Sequence, residues 1–236
     1  MSTSTLKTSM SPDLLSERFP LFNAASPGTL DRLLAVASEL DYPAGRTVLM
    51  EDSWGNAVYF ITAGWVKVRH EVADDYVTLA VLGKGDFFGE MAILDESPRS
   101  TDVVSLSTVK LVSIPAHQFI ETLFQDSQLH HRMLQLMVQR LRQTNARFQL
   151  RHKPPAVKLA HTLQSLAAAY GTGPSNAPEL FSIAPDDLSA IADVAKDDVV
   201  KIMEKLTEKG WIQQDETQST LSLPGIKHLI QLSKKA

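Results

Sequence analysis

The spacing of apolar residues changes several times along the 236-residue chain, and each change predicts a different kind of element. Apolar residues recur at helical intervals over residues 13–22 and 26–39. Past residue 42 the pattern becomes short β-branched or aromatic runs separated by glycines, which is typical of strands. The expected strands are residues 48–51, 58–62, 64–70, 76–82 and 109–114. Five short strands joined by turns favour an antiparallel roll.

A long helical pattern follows the strands and opens at Pro115-Ala116. Its apolar seam repeats at intervals of three and four and consists of Leu134, Met137, Leu141, Thr144 and Phe148. So narrow a seam favours pairing with a second copy of the same helix, and packing on its own domain is the alternative. Because a proline disfavours helix at the residue before it, the helix should end before Pro154, and Lys153-Pro154-Pro155 is the expected hinge.

The last third of the chain has helix-turn-helix spacing. Residues 185–206 fit two helices with a tight turn near Asp193-Val194, and residues 207–223 lead into a small hairpin or wing. The predicted fold class is therefore α+β, with an antiparallel, jelly-roll-like β-roll, a long dimerisation helix and a C-terminal winged helix. The predicted segments are a disordered tail (1–12), the roll (13–116), the dimerisation helix with its hinge (117–153) and the winged helix-turn-helix domain (154–236).

Composition removes several classes of function. The chain has no cysteine, which excludes a disulfide framework and thiolate-bound zinc or iron–sulfur sites. No apolar run reaches the roughly 18 residues of a membrane span. The Ser/Thr-rich residues 1–11 contain no apolar block, so they do not predict a signal peptide. We therefore expect a cytoplasmic protein without a membrane partner.

One short stretch combines groups that suit a nucleotide. Arg99 offers a planar guanidinium that can fork onto a phosphate. Gly89 lets backbone N–H groups approach an anion closely, and Glu90 directly after it can accept a hydrogen bond from a sugar hydroxyl. Phosphate, ribose and a fork of donors together indicate a cyclic nucleotide. The alternative is a strand–turn–strand that carries a surface Arg and Glu.

The spelling of this stretch, FGEMAILDESPRST at residues 88–101, closely resembles the phosphate-binding cassette of cyclic-nucleotide-binding domains. It is most similar to the cassette of the bacterial cyclic-AMP receptor protein (Crp/Fnr) family of transcription regulators. The runs PAGRTVLMED, VYFITAGWVKV and LGKGDFFGE resemble the rest of that β-roll, and the resemblance covers nearly the whole chain after the tail. It implies cyclic AMP, rather than cyclic GMP, as an allosteric effector. The cassette residues that it implies as ligand contacts are Phe88, Gly89, Glu90, Met91, Ala92, Arg99, Ser100 and Thr101.

The same resemblance assigns roles to residues of the long helix. Arg140 matches an arginine near the cassette acid. Thr144 matches a threonine that contacts the adenine amino group in its own subunit, and Asn145 matches a residue that reaches the base from the partner subunit. A threonine within a helix can instead bond its own backbone, so Thr144 has a purely structural alternative.

In the second helix of the helix-turn-helix pattern, the resemblance implies DNA contacts by Lys196, Asp197, Lys201 and Lys205. Family members usually have Arg, Glu and Arg where this chain has Lys196, Asp197 and Lys201, and Lys and Asp define base contacts less sharply. Asp193 also replaces the usual turn glycine. Residues 154–236 contain eight lysines, no arginine and ten acids, a net charge of −2 that is unfavourable for DNA.

The resemblance implies a cAMP-responsive homodimer that repositions its winged helices on palindromic double-stranded DNA, with RNA polymerase as a further partner. The alternative is a cAMP sensor whose acidic helix-turn-helix domain binds a protein. We do not expect an enzyme. The adjacent His130 and His131 face different directions on a helix, and the Ser, His and Asp residues form no nucleophile elbow.

Overall fold

The computed structural model of the chain describes residues 6–73, 75–215, 217 and 219–234. The chain forms two compact units, Met1–Arg142 and Gln143–Ala236. The strands are β1 (Leu6–Lys7), β2 (Ser38–Tyr42), β3 (Thr47–Leu49), β4 (Ala57–Ala63), β5 (Val66–Val72), β6 (Asp75–Leu82), β7 (Phe87–Phe88), β8 (Asp102–Ser105), β9 (Val109–Pro115), β10 (Glu179–Phe181), β11 (Gln213–Asp215) and β12 (Thr220–Ser222). The α-helices are α1 (Pro12–Arg18), α2 (Pro27–Val36), α3 (Glu90–Leu94), α4 (Ala116–Gln125), α5 (Ser127–Gln149), α6 (Pro155–Tyr170), α7 (Pro185–Ala192), α8 (Lys196–Glu208) and α9 (Ile226–Ser233).

The N-terminal unit contains two antiparallel sheets. One has the strand order β1-β2-β9-β4-β7 and the other β3-β8-β5-β6. The predicted antiparallel roll is confirmed, and with it the α+β class. The sequence pattern did not predict the strands that are very short, such as β7, or polar, such as β2. In such segments the alternation of apolar and polar residues is too weak to indicate a strand.

Strand β4 positions the interior of the roll because both of its faces are buried. Val58 and Phe60 face a core that also contains helical residues such as Phe19 and Phe119. Tyr59 and Ile61 face a second core with residues of the other sheet. A strand that is buried on both sides reads as a continuous apolar run, which explains the sequence AVYFI at its start.

The predicted long helix is two helices separated at Asp126. The backbone of Asp126 is extended, and its carboxylate accepts hydrogen bonds from the N–H groups of Gln128 and Leu129 at the start of α5. The same carboxylate accepts from the Thr29 hydroxyl at 2.7 Å and so ties α5 to α2. An aspartate that caps a following helix is a known start signal, which the apolar spacing alone does not reveal.

The N-terminal segment differs from the predicted tail. Residues 1–5 lie outside the described part of the chain, but β1 pairs with β2 and Ser11 caps α1. The Glu39 carboxylate accepts hydrogen bonds from the Thr8 hydroxyl and the Ser9 N–H, both at 2.9 Å. The Ser/Thr-rich composition that suggested disorder therefore supplies donors that order residues 8 and 9. The helix expected over residues 26–39 ends at Val36, because residues 38–42 join the sheet as β2.

The C-terminal unit contains the end of α5, helices α6 to α9 and an antiparallel sheet in the order β10-β12-β11. Leu159, Leu163 and Leu166 of α6 are buried. Helices α7 and α8 flank the turn at Asp193-Val194, and β11 and β12 form the expected wing. The two units divide at Arg142/Gln143, within α5, while the hinge at Lys153-Pro154-Pro155 stays a prediction.

Candidate functional site

The candidate site lies where β7 turns into α3. Phe87 joins the core on the helical side, while Phe88 stacks on Tyr59 at 5.4 Å in the core between the sheets. Gly89 then caps α3 in a left-handed conformation with φ 84° and ψ 5°. A β-carbon at this position would lie 2.7 Å from Nη1 of Arg99, and the left-handed backbone is what favours glycine here.

Arg99 is buried in the wall of this turn and is only 4% exposed. Its Nη2 donates to the carbonyl of Ala57 at 2.8 Å, and its Nη1 donates to the carbonyl of Gly89. Burial lowers the pKa of the Arg99 guanidinium, while Tyr59 and Glu90 act in the opposite direction. Among the residues that the structure describes, Nε of Arg99 is the buried side-chain polar atom that finds no acceptor. A buried guanidinium with one N–H group left without an acceptor suits an anion.

Glu90 begins α3 beside this arginine and is 2% exposed. Its Oε1 accepts from Nη1 of Arg140 at 2.5 Å, and Nη2 of Arg140 donates to the Phe87 carbonyl at 2.6 Å. Burial raises the pKa of the Glu90 carboxyl above its usual value, although Arg140 and Arg99 both favour the ionised form. The structure therefore brings Arg140 of α5 into direct contact with the candidate site, as the resemblance implied.

The remaining cassette residues have different surroundings. Ala92 is buried, Thr101 is half-buried and Ser100 is exposed. Met91 is 62% exposed, so its side chain lies outside the buried part of the site. The structure brings Phe88, Gly89, Glu90, Arg99 and Arg140 together, and their ligand roles stay predictions.

A loop that the sequence did not single out completes the wall around Arg99. A β-carbon on Gly55 would lie 2.8 Å from Cζ of Arg99. The N–H of Asp52 donates to the Arg99 carbonyl at 2.9 Å, and the N–H of Arg99 donates to the Ser53 carbonyl at 2.8 Å. Trp54, which follows Ser53 in the chain, is exposed and forms a β-bridge with Pro98. A glycine between two predicted strands was the only sequence signal for this loop. Its close approach to Arg99, 44 residues later in the chain, could not be predicted from the sequence.

The predicted seam of the long helix needs one correction. Leu134, Val138 and Leu141 are exposed on α5, whereas Met137 is partly buried against the core of its own unit. Val138 therefore replaces Met137 in the exposed apolar stripe, and α5 uses its other side to pack on the roll. One face of the helix therefore packs on its own unit, and pairing of the exposed face with a second copy stays a prediction. Thr144 and Asn145, in the part of α5 that belongs to the C-terminal unit, are exposed as well.

All four predicted DNA-contacting residues lie on α8, which follows the turn at Asp193-Val194. Lys196 Nζ lies 2.8 Å from Oδ1 of Asp186, and a hydrogen bond to Asp186 raises the pKa of Lys196. Asp197, Lys201 and Lys205 are exposed. Asp193 adopts the left-handed conformation expected of a residue in the place of a turn glycine. The helix-turn-helix geometry is therefore present, with its first lysine engaged by an acid of α7.

The described parts of the chain contain no group of three or more His, Cys, Asp or Glu side chains that could hold a metal ion. None of their helices is both long and apolar enough to cross a membrane.

Comparison with known proteins identifies the roll. Residues 39–126 match the family model described as cyclic nucleotide-binding domain. This part of the chain is a cyclic nucleotide-binding domain. The match contains the whole candidate site except Arg140, which lies on α5.

The similarity extends beyond the cyclic nucleotide-binding domain. The cyclic AMP receptor protein of Thermus thermophilus is 28% identical over 196 residues, 82% of this chain and 88% of that protein. A CRP-like cAMP-activated global transcriptional regulator of Mycobacterium tuberculosis is 24% identical over 85% of this chain and 91% of that protein. The predicted resemblance is confirmed, and the chain is a homologue of the Crp/Fnr transcription regulators.

Solved structures agree on the fold. The Xanthomonas campestris regulator CLP, described as c-di-GMP responsive, is 21% identical with a TM-score of 0.65, over 84% of this chain and 99% of that one. The relatives named here are regulators rather than enzymes.

Proposed function

We propose that this chain is a cAMP-responsive, dimeric transcription regulator that binds double-stranded DNA through its winged helix-turn-helix domain. Homology to Crp/Fnr regulators with a cyclic nucleotide-binding domain supports the general class. The effector, the dimer and the DNA contacts are the parts that we add. They follow from the residues around Arg99, from the exposed face of α5 and from the charges of α8.

The observation that carries the effector proposal is the environment of Arg99. A guanidinium that is 4% exposed lies between two glycines, and its Nε has no acceptor among the described residues. The cyclic phosphate of a mononucleotide is a small anion that fits such a donor. Arg99, with the exposed hydroxyl of Ser100 and the amides near Gly89, would hold the phosphate, and Glu90 would accept the ribose 2′-hydroxyl.

The base would lie against the long helix. Thr144 of one subunit and Asn145 of its partner would bind the adenine amino group, so that two copies of the chain share one ligand. The exposed Leu134, Val138 and Leu141 give α5 an apolar stripe for a second copy of itself. Because Arg140 of α5 forms an ion pair with Glu90, a movement of the cassette would be transmitted directly to the helix that would form the dimer.

For DNA, the proposed contacts are Lys196, Asp197, Lys201 and Lys205 on α8. Two such helices must lie about 34 Å apart to enter successive major grooves. The second candidate function, recognition of a protein by this domain, is favoured by one observation. The Lys196 ammonium is paired with Asp186 in a domain of net charge −2, which weakens phosphate binding. RNA polymerase stays a predicted partner.

Two experiments test the proposal. Calorimetric titration of the protein with cAMP, cGMP and c-di-GMP should show the tightest binding for cAMP, and equal or tighter binding of another ligand would reject the effector assignment. Selection of duplexes by the cAMP-loaded protein at low salt should then return a palindrome of two half-sites. Retention of no duplex at low salt would favour the protein-binding alternative.

A further inference from the structure

A buried lysine near the start of α6 lies outside every site described above. Lys158 is 9% exposed and lies in the first turn of this helix, directly after the predicted hinge. Its ammonium donates to the carboxylate Oδ2 of Asp193 at 2.6 Å and to the carbonyl oxygen of Asp193 at 2.8 Å. A buried ammonium requires such acceptors, and both come from one residue 35 positions later.

That residue is the turn of the helix-turn-helix unit. Asp193 ends α7 with φ 53° and ψ 53°, a left-handed conformation that glycine adopts most easily. The hydroxyl of Ser189 donates to the carbonyl of Val194 at 2.6 Å and fastens the same turn to α7. Helix α8 begins at Lys196, three residues after Asp193. The turn is therefore held from α7 by Ser189 and from α6 by Lys158.

An ion pair that includes no residue of α8 thus joins α6 to the turn before α8, with the Lys158 side chain 11% and the Asp193 side chain 74% exposed. Val199 and Leu206 are buried on the inner face of α8, and packed helices can slide past each other by a small amount. Hydrogen bonds to a single ammonium are directional and restrict that movement. We propose that Lys158 is a positioning residue that fixes α8 relative to α6, so that movement of the helix after the hinge is passed to the DNA-binding helix.

This inference rests on the proposed function for its DNA consequence only. A purely local interpretation is that the pair offsets the cost of the left-handed backbone at residue 193. The two interpretations differ in what Asp193→Gly does. Local compensation predicts that glycine, which accepts this backbone without strain, leaves the position of α8 unchanged. Positioning predicts that loss of the carboxylate loosens α8 although the turn itself is relaxed.

Distance measurements between spin labels decide the point without DNA. Because the chain has no cysteine, Ser165→Cys on α6 and Glu204→Cys on α8 would be the only attachment sites. We expect Lys158→Met to at least double the width of the distance distribution and Asp193→Gly to broaden it by a smaller amount. Lys227→Met is the control, because it removes the same charge from an exposed position of α9. An unchanged distribution in Asp193→Gly would favour the local interpretation and overturn the proposal, whatever Lys158→Met does.

Binding to a selected duplex, followed by fluorescence anisotropy, gives the functional reading. Lys158→Met should bind about tenfold more weakly than Lys227→Met, and Lys158→Arg should recover most of the loss. Equal affinities of Lys158→Met and Lys227→Met would overturn the transfer of position to DNA binding. If the unaltered protein retains no DNA, the proposed function fails, while the spin-label distances still decide the role of Lys158. Should Lys158→Met not fold, Asp193→Gly carries the same test.

Discussion

The cassette of the first unit and the predicted DNA-contacting helix α8 of the second unit hold their charged residues in opposite ways. In the cyclic nucleotide-binding domain, Arg99 and Glu90 are buried, and each is bound by backbone or by another side chain. On α8 the predicted DNA contacts are exposed, and Lys196 pairs with an acid at the surface. A buried charge must be matched by its surroundings, whereas an exposed charge is matched by water. The identity of a charged residue therefore says more about function at the cassette than on α8.

The largest effect should come from removing the buried cation. Arg99→Ala is expected to weaken cAMP binding by at least about 100-fold, because charge-assisted hydrogen bonds to a phosphate are lost. Calorimetry measures the change, and Arg46→Ala, an exposed arginine of the same unit, is the control. If the cAMP affinities of the two variants lay within about threefold of each other, the buried arginine would have no greater role than the exposed one.

A buried carboxylate of the first unit gives the next largest effect. Asp126→Ala should lower the free energy of unfolding by about 2 kcal/mol, because a helix cap and the link to Thr29 are lost. Asp31→Ala, at an exposed position of α2, should change it by less than about 0.5 kcal/mol. Urea unfolding measures both.

The effect of Asp126 should also depend on pH. Burial raises the pKa of the Asp126 carboxyl, but hydrogen bonds from Leu129, Thr29, Ser26 and Gln128 more than offset this, so the pKa lies below its ordinary value. A lowered pKa in the folded state contributes stability above the unfolded value of about 3.9 that is lost as the pH falls. The difference between the protein and Asp126→Ala should therefore shrink below pH of about 4. A constant difference would contradict the shift.

The base contact is expected to be smaller and selective. Thr144→Ala should weaken cAMP binding about tenfold, because one hydrogen bond to the adenine amino group is lost, and should affect cGMP less. Competition titrations with both nucleotides measure the ratio. Equal losses for the two ligands would mean that Thr144 is a structural residue of α5.

The smallest effect concerns the exposed pair. Asp186→Asn should release Lys196 and strengthen DNA binding by about threefold at low salt. The gain should disappear as salt rises, because exposed charges are screened. Glu179→Gln, an exposed acid of β10, controls for the change in net charge. An equal gain in the control would show that the pair with Lys196 has no specific role.

The same contrast explains how much the sequence could predict. Glycine, acid and arginine in one fixed order identified the cassette, because each has a geometric requirement that few other residues meet. The structure places Gly89, Glu90 and Arg99 together, as the order predicted. Gly55 and the carbonyl of Ala57 were missed, since any backbone can supply a carbonyl and many glycines only shape turns.

Errors in the helical part have a different physical origin. Apolar spacing predicted the existence of α5 but not its start, because the break depends on four hydrogen bonds to one carboxylate, that of Asp126. The same spacing placed Met137 in the exposed seam, although it packs on the core of its own unit. Spacing alone does not say which of two apolar sides a helix turns inward.

The β-bridge between Trp54 and Pro98 has a practical consequence for the study of this chain. It attaches an exposed indole to the residue before Arg99. If a ligand displaces the Arg99 backbone, we expect the emission of Trp54 to change, and replacing Trp65 and Trp211 would leave Trp54 as the only indole in the chain.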